Sequence, residues 1–168
     1  TAQGVIAVYT PDAPTESTAE HAVALLMALA KDVRSGDAAI RRAGWAGRRG
    51  LVGVELMGKT LGVVGLGRIG GRVAEICGRG LRMKAIAYDP YIKKSKAESL
   101  GVALYDELDD LLKVSDVITF HTPLTGTTRN MITADKLAIM KDNVILVNCA
   151  RGGIVNENDL YEALVSGK

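Results

Sequence analysis

The sequence predicts an α/β fold in which helices cover both faces of a doubly wound, parallel β-sheet. From residue 60 onward, short apolar runs alternate with helical patterns, as they do in successive β-α-β units. These runs lack polar alternation, which is typical of strands that are covered on both faces. A glycine-rich hexapeptide at residues 65–70 joins the first run to the helix that follows it. The expected architecture therefore has three layers, α/β/α.

The composition fits a single globular domain. The chain has 168 residues, of which 48% are apolar and 24% are charged, so we do not expect disorder. Its 21 basic and 19 acidic residues leave a net charge of +2, which indicates neither nucleic acid nor an anionic membrane as a partner. The longest apolar run, residues 22–30, is too short to span a bilayer.

Cysteine and histidine usage predicts the compartment and the metal content. Cys77 and Cys149 are too few to form a disulfide framework, and this favours a reducing, cytoplasmic environment. Together with His21 and His121 they lack the spacing of zinc ligands, so no metal is expected.

The first third of the chain predicts a strand, a long helix and an irregular arm. A strand is expected over residues 4–9, and two prolines end it. Ser17 and Glu20 have the spacing of a capping box, which predicts a helix over residues 18–33. Because that helix is apolar on nearly every face, we expect burial on all sides, either by a second subunit or as the centre of a larger core. An irregular helix and an extended arm around Trp45 follow.

The remaining elements alternate regularly along the chain. Strands are expected at residues 61–64, 83–88, 102–104, 117–120 and 144–147, and helices at residues 68–78, 93–100, 106–113, 135–140 and 158–165. In such a sheet a ligand binds outside the carboxyl ends of the strands.

The hexapeptide at residues 65–70 has the spacing G-x-G-x-x-G after a strand and before a helix, which is typical of a dinucleotide-binding turn. Gly65 permits the tight turn, Gly67 leaves room for a pyrophosphate, and Gly70 lets the helix pack closely on the strand. The N–H groups of Arg68, Ile69 and Gly70 are then free to bind phosphate oxygens at the positive end of the helix dipole.

Asp89 supports the same interpretation. It ends the second strand, 19 residues after Gly70, at the distance expected of the acid that binds an adenosine ribose diol. A carboxylate there would repel a 2′-phosphate, so NAD is favoured over NADP. Together these residues predict a Rossmann-type fold, although Asp89 would also suit a turn before Pro90.

Two further strand ends carry candidate site residues, and we expect both loops to face the crevice beside Gly65. Thr122 can offer a hydroxyl to the cofactor, and Pro123 fixes its turn. Arg151 carries a permanent, forked cation that suits a carboxylate. The six candidates at these strand ends are His121, Thr122, Pro123, Cys149, Ala150 and Arg151.

Three residues in or near these loops have tempting chemistry but favour plainer roles. The ordinary pKa of a histidine is near neutral, which would suit His121 to acid–base catalysis, yet a histidine at a strand end is more often packed or capping than catalytic. Cys149 lacks the partners of a nucleophile and is expected to be a small residue against the cofactor. His21 lies inside the apolar helix and is expected to be a core or interface histidine.

Seven segments spread along the chain form one joint pattern: STAEH at residues 17–21, GVEL at 53–56, GKTLG at 58–62, GLGRIG at 65–70, YDP at 88–90, HTPLT at 121–125 and NCARGGIV at 148–155. On these segments the chain resembles the D-isomer-specific 2-hydroxyacid dehydrogenases along nearly its whole length. This resemblance implies a catalytic and substrate-binding role for Arg151, which would hold the carboxylate and carbonyl of a small anionic 2-hydroxy or 2-keto acid beside the nicotinamide. It implies NAD contacts at Arg68, Ile69, Asp89, Thr122, Cys149 and Ala150.

The resemblance also implies an assembly and a division into domains. The helix over residues 18–33 and the arm near Trp45 would form a homodimer interface. Residues 1–17 would be a remnant of the substrate-side domain and hinge, and residues 18–168 the NAD-binding domain. Because the family's acid–base histidine and its glutamate partner lie further downstream, we expect these residues to bind NAD without turnover.

The particular substrate stays open within the family. Pro14 and its neighbours resemble one group of members, whereas residues 148–155 resemble another. A non-catalytic, NAD-sensing module with the same fold is the alternative, and Arg151 weighs against it because a sensor needs no carboxylate-binding arginine.

Overall fold

The computed structural model describes residues 4, 6 and 8–168. The strand predicted over residues 4–9 includes positions outside these described residues. Among the helices that are described, none is long and apolar enough to cross a membrane.

Over the described residues the regular structure comprises seven α-helices, five strands, a 3-10 helix over Gly44–Arg48 at the predicted arm and a π-helical turn. The strands are β1 (Thr60–Val64), β2 (Lys84–Tyr88), β3 (Ala103–Tyr105), β4 (Val117–Phe120) and β5 (Ile145–Asn148). The helices are α1 (Thr15–Ala30), α2 (Val33–Ala43), α3 (Arg68–Glu75), α4 (Lys94–Ser99), α5 (Leu108–Val114), α6 (Ala134–Ile139) and α7 (Glu157–Ser166). Most of the predicted boundaries after residue 60 differ from these by one or two residues.

The five strands form one parallel sheet in the order β3-β2-β1-β4-β5. The order reverses between β1 and β4, so a crevice opens at the carboxyl ends of these two strands, where ligands bind in sheets of this type. Val64 pairs with Tyr88 on one side and with Phe120 on the other, and this register brings the three strand ends level. The predicted doubly wound, three-layer fold is confirmed.

Two hydrophobic clusters cover the two faces of the sheet. One contains Leu26 of α1 and Val73 of α3, packed against Val63 of β1. The other contains Leu111 of α5, packed against Val64 of β1. Neighbouring residues of β1 therefore point to opposite cores, which explains why this strand is apolar at successive positions.

The capping box predicted at Ser17 and Glu20 is wrong, because α1 starts earlier in the chain. The helix begins at Thr15 with Pro14 at the N-cap position, and no side chain accepts a capping hydrogen bond there. Ser17 already lies in the first turn, and its hydroxyl donates to the Pro14 carbonyl oxygen at 3.3 Å. The helix starts early because the preceding turn leads directly into it: Thr15 N–H donates to the Asp12 carbonyl oxygen at 3.0 Å.

Within this chain α1 is buried along one face and not on all sides. Ala19, Ala22, Leu26 and Ala30 face the core, whereas 40% of Leu25 and 59% of Leu29 remain exposed. The alternative of a central helix is therefore wrong, because the contacts that α1 makes with α3, β5 and α2 leave one of its faces exposed. The helix also ends at Ala30 rather than at residue 33, since Asp32 adopts a left-handed conformation, with φ of 49°, before α2.

The helix after the glycine-rich turn ends differently from its prediction. Regular α-helix stops at Glu75, and a π-helical turn follows over Ile76–Gly80. The Cys77 carbonyl oxygen accepts from the N–H groups of both Leu81 and Met83 at 3.1 Å, so this turn leads directly into β2.

Candidate functional site

The turn after β1 requires glycine at its first position. Gly65 has φ of +93°, a backbone conformation that residues with a side chain rarely adopt. Its N–H donates to the Tyr88 carbonyl oxygen at 2.9 Å, and a Cβ here would lie 2.9 Å from the carbonyl of His121. The ends of β1, β2 and β4 therefore meet at this residue.

The other two glycines of the motif differ in what surrounds them. A Cβ on Gly70 would overlap the Gly65 carbonyl oxygen, so the close approach of α3 to the turn depends on this glycine. A Cβ on Gly67 would meet open space. No neighbouring atom of the described chain therefore requires glycine at position 67. The open space beside Gly67 fits the approach of a ligand.

The amino end of α3 presents unpaired backbone donors to this space. The Gly71 N–H donates to the Gly67 carbonyl oxygen at 2.9 Å and is the first amide to turn inward. The N–H groups of Arg68, Ile69 and Gly70 precede it and have no partner within the helix. The Arg68 side chain is exposed and lies 3.6 Å from the Asp12 carboxylate.

Asp89 lies at the end of β2 and is held in place by two backbone donors. The Leu66 N–H donates to one of its carboxylate oxygens at 2.9 Å, and the Tyr91 N–H donates to the other at 3.0 Å. Each oxygen keeps a free lone pair for a further donor. The partly buried carboxylate therefore lies against the glycine-rich turn with capacity for a ligand's hydroxyl groups.

A crevice of about 440 Å³ lies between these elements. It brings together six residues predicted for the site or the turn beside it, Gly65, Gly67, Asp89, His121, Thr122 and Pro123. The Thr122 hydroxyl is buried and has no hydrogen-bond partner in the structure. Since a buried polar group without a partner is costly, this hydroxyl points to a ligand that completes the site.

His121 packs against the sheet. Its Nε2 lies 2.9 Å from the Thr119 hydroxyl, and its backbone N–H donates to the Val64 carbonyl oxygen at 2.8 Å. Burial lowers the pKa of His121 to about 4, so the imidazole is neutral at physiological pH. The packed arrangement agrees with the role predicted for this residue.

The loop after β5 lines a second groove, of about 580 Å³, rather than the first crevice. It contains Cys149, Ala150 and Arg151 together with Ser17, Thr18 and His21 of α1. The expectation that both loops face one crevice is therefore wrong in detail: both follow neighbouring strands at the same edge of the sheet, but α1 forms the wall beside β5.

The loop that carries Arg151 is fixed by Asn148. The Asn148 side chain donates to the Arg151 carbonyl oxygen at 2.9 Å and accepts from the Ala150 N–H at 3.0 Å. The exposed Arg151 guanidinium donates to the Ala150 carbonyl oxygen at 2.6 Å, and no carboxylate of the described residues forms an ion pair with it. Burial raises the pKa of the Cys149 thiol, so this residue stays protonated.

Several lining residues lie outside the set that the sequence indicated. Tyr91, Thr127 and Met131 line the first crevice, and Ser17 and Thr18 line the second groove. Of the two roles expected for His21, that of a core histidine is wrong, because His21 is exposed and lines the groove beside Arg151, and that of an interface histidine stays a prediction. The four-residue spacing of Ser17 and His21 on one helix face was the available signal.

Comparisons with known proteins agree with this site. A family model described as D-isomer specific 2-hydroxyacid dehydrogenase, NAD binding domain, matches residues 23–168. The chain therefore belongs to this family and forms its NAD-binding domain, with a Rossmann-like fold. D-3-phosphoglycerate dehydrogenase of Methanocaldococcus jannaschii is 48% identical over all 168 residues, which cover 32% of that protein.

Two further relatives place this similarity in context. Hydroxypyruvate reductase of Thermotoga maritima is 44% identical over 99% of this chain and 52% of its own length. A structure of D-lactate dehydrogenase from Aquifex aeolicus, complexed with NAD and lactic acid, superposes with a TM-score of 0.88 at 36% identity, covering 99% of this chain and 49% of that one. The chain spans only about a third of the length of the first curated relatives that it matches.

Proposed function

We propose that this chain is the NAD-binding domain of a D-3-phosphoglycerate dehydrogenase, which oxidises 3-phosphoglycerate to 3-phosphohydroxypyruvate in serine biosynthesis. The observation that carries the proposal is the position of Arg151, a forked cation without a carboxylate partner in the described chain, at the sheet edge that carries the dinucleotide crevice. Three of the curated relatives with this activity are 42–48% identical.

The residues at the first crevice fit the cofactor. The N–H groups of Arg68, Ile69 and Gly70 would bind the pyrophosphate at the amino end of α3. Asp89 would accept hydrogen bonds from the adenosine ribose diol, and the Thr122 hydroxyl would donate to the cofactor. Gly65 permits the tight turn, and the open space beside Gly67 would accept the pyrophosphate.

The remaining site residues would shape the nicotinamide end and the wall of the crevice. Cys149 and Ala150 precede Arg151 and would pack against the cofactor as small, uncharged residues. Pro123 fixes the loop after β4, and neutral His121 would form part of the wall without exchanging protons.

Arg151 would act on the substrate. NAD, when bound, accepts a hydride from C2 of the hydroxy acid. The Arg151 guanidinium would hold the substrate's carboxylate through two parallel hydrogen bonds and would polarise the C2 oxygen as it becomes a carbonyl. This positions the C2–H bond before the transfer and stabilises the charge that develops on oxygen.

We also propose a homodimer, a domain boundary and a compartment. The exposed apolar side chains of α1 and the arm, including Leu29 and Trp45, would pack against a second copy.

Residues 1–17 would belong to the substrate-side domain and hinge, and residues 18–168 to the NAD-binding domain. Two free cysteines support a cytoplasmic location.

A hydroxypyruvate reductase is the second candidate. It is favoured by the Thermotoga maritima relative and by Pro14, whose neighbourhood departs from the pattern of phosphoglycerate dehydrogenases. NADH formation by the full-length protein should be measured with 3-phosphoglycerate and with D-glycerate. A preference for 3-phosphoglycerate supports the first proposal, and a preference for D-glycerate supports the second.

The same assay tests the role of Arg151. We expect Arg151→Gln to lower kcat/KM by at least about 100-fold, because a bidentate, charge-assisted contact is lost. NADH affinity should be retained. Arg79→Gln removes an exposed arginine of the π-helical turn after α3, which lines neither groove, and serves as the control. Full activity of Arg151→Gln would refute the assignment.

A further inference from the structure

Two ion pairs join the start of α1 to the start of α3. The Glu16 carboxylate accepts from the Arg72 guanidinium at 2.8 Å, and the Asp12 carboxylate lies 3.6 Å from the Arg68 guanidinium. Asp12 and Glu16 are four residues apart, and so are their partners, which places the two ion pairs one turn apart along α3. The turn that leads into α1 is thereby held against the amino end of α3, where we propose that the pyrophosphate binds.

The two ion pairs differ in how firmly they are held. Arg72 also donates to the Glu75 carboxylate at 2.9 Å, so its contact with Glu16 belongs to a small network. The Arg68–Asp12 pair is longer than a hydrogen bond, and its two side chains are 61% and 82% exposed. Because exposed pairs of this kind contribute little to stability, a more highly charged anion can displace Asp12 from Arg68.

Arg68 lies where such an anion would bind. It is the first residue of α3 and follows Gly67, beside which the open space fits a pyrophosphate. Gly67 lines both the first crevice and a further pocket of about 620 Å³, which contains Asp12 and Arg68. A pyrophosphate carries more negative charge than a carboxylate, and a guanidinium binds phosphate oxygens through parallel hydrogen bonds. Arg68 therefore has two candidate partners, the Asp12 carboxylate and the pyrophosphate.

We propose that Asp12 is an internal competitor of the cofactor: Arg68 leaves Asp12 for the pyrophosphate when NAD binds, and this exchange frees the turn before α1 from α3. The inference rests on the proposed pyrophosphate site and is independent of which hydroxy acid the protein oxidises. The Arg72–Glu16 pair would persist and keep α1 in place. Because we assign residues 1–17 to the substrate-side domain and hinge, cofactor binding would loosen the hinge without moving α1. By linkage, the Arg68–Asp12 pair weakens cofactor binding by the same factor by which the cofactor weakens the pair.

Cofactor affinity tests the exchange without any turnover. In the full-length protein, titration calorimetry should measure the dissociation constants of NADH and of adenosine for the wild type, Asp12→Asn and Glu16→Gln. We expect Asp12→Asn to bind NADH about threefold more tightly, because Arg68 no longer has to leave a carboxylate. Adenosine lacks the pyrophosphate and should bind all three proteins equally. Glu16→Gln is the matched control, and its NADH affinity should stay within about 1.5-fold of wild type, because Arg72 lies one turn further along α3.

A double-mutant cycle separates the exchange from direct repulsion between Asp12 and the phosphates. Arg68→Gln should itself weaken NADH, and in this background Asp12→Asn should have no further effect, because Asp12 acts through Arg68. Tightening of NADH by Asp12→Asn that persists in the Arg68→Gln background would overturn the exchange. Equal NADH affinities of the wild type and Asp12→Asn would overturn it as well.

Hydrogen exchange provides a second readout, which reports on the turn before α1. The Thr15 N–H donates to the Asp12 carbonyl oxygen at 3.0 Å, so its exchange reports whether this turn opens. NADH should accelerate this exchange by about threefold in the wild type and leave it unchanged in Asp12→Asn. Unchanged or slower exchange in the wild type would overturn the release of the turn. Failure of the wild type to bind NADH would overturn the pyrophosphate site and the exchange together, whereas absence of 3-phosphoglycerate oxidation with these affinities retained would overturn the proposed function alone.

Discussion

The Leu66 N–H donates a 2.9 Å hydrogen bond to the Asp89 carboxylate, joining the glycine-rich turn to the end of the neighbouring strand. These residues are 23 positions apart in the sequence, and the parallel pairing of β1 with β2 brings them together. The acid that we propose for the ribose diol is thus fixed relative to the turn that we propose for the pyrophosphate. Two parts of one ligand can be bound without any rearrangement of the chain.

Replacing this acid should change cofactor choice. We expect Asp89→Asn to weaken NADH binding by about tenfold or more, because a charge-assisted contact to the ribose diol is lost. The discrimination against NADPH should decrease at the same time, because the repulsion of a 2′-phosphate disappears. Fluorescence titration with both cofactors measures this. Asp106→Asn, at an exposed position after β3, is the control, and unchanged affinities in Asp89→Asn would contradict the assignment.

The two later glycines of the turn should respond in opposite ways to the same substitution. Gly70→Ala places a Cβ against the Gly65 carbonyl oxygen, so we expect the free energy of unfolding to fall by at least about 3 kcal/mol. Gly67→Ala places a Cβ in open space and should change stability by less than about 1 kcal/mol, yet it should abolish NADH binding.

Urea unfolding and NADH titration of both glycine variants provide the comparison. Each variant controls for the other, because both add one methyl group to the same turn. Normal NADH affinity in Gly67→Ala would show that no ligand approaches this position.

The buried histidine predicts a pH dependence of stability. Burial lowers the pKa of His121 to about 4, below its ordinary value of 6.5. Between these values the unfolded chain binds a proton that the folded chain does not, so stability is fully present above about pH 6.5 and decreases as the pH falls towards 4. The decrease attributable to His121 should reach about 3 kcal/mol.

Urea unfolding of wild type and His121→Gln between about pH 8 and about pH 4.5 measures this contribution. Glutamine can keep a hydrogen bond to Thr119 but does not titrate in this range. The difference between the two proteins should therefore narrow with falling pH. Parallel stability curves for the two proteins would contradict the burial of a neutral imidazole.

The exposed face of α1 predicts the assembly. Leu29→Lys places a charge in the proposed homodimer interface and should shift the full-length protein towards monomers in sedimentation velocity experiments. Leu164→Lys is the matched control, because Leu164 has a similar exposed fraction, 65%, on α7. A dimer that withstands Leu29→Lys but dissociates with Leu164→Lys would place the interface on the other side of the molecule.

Local patterns predicted most of the fold, and they indicated the residues that the structure brings together at the first crevice. The apolar runs located all five described strands, and the spacing from Gly70 to Asp89 located both ends of the proposed adenosine site. The capping box predicted at Ser17 and Glu20 is wrong because the turn before α1 already starts the helix at Thr15. Ser17 therefore lies inside the first turn and not at the N-cap position. The position of His21 could not be predicted, because an apolar helix does not reveal which of its faces meets β5.

The sequence by itself determined the alternation of strands and helices, the dinucleotide-binding turn and the chemistry available at each strand end. These follow from backbone conformation and from hydrophobic periodicity over a few neighbouring residues. Only the tertiary structure decided that the Thr122 hydroxyl is buried without a hydrogen-bond partner. It also decided that Arg151 and His21 line a second groove, separate from the crevice beside Gly65. Such relationships depend on the packing of α1 and the loop after β4 against the sheet, and therefore on contacts between distant parts of the chain.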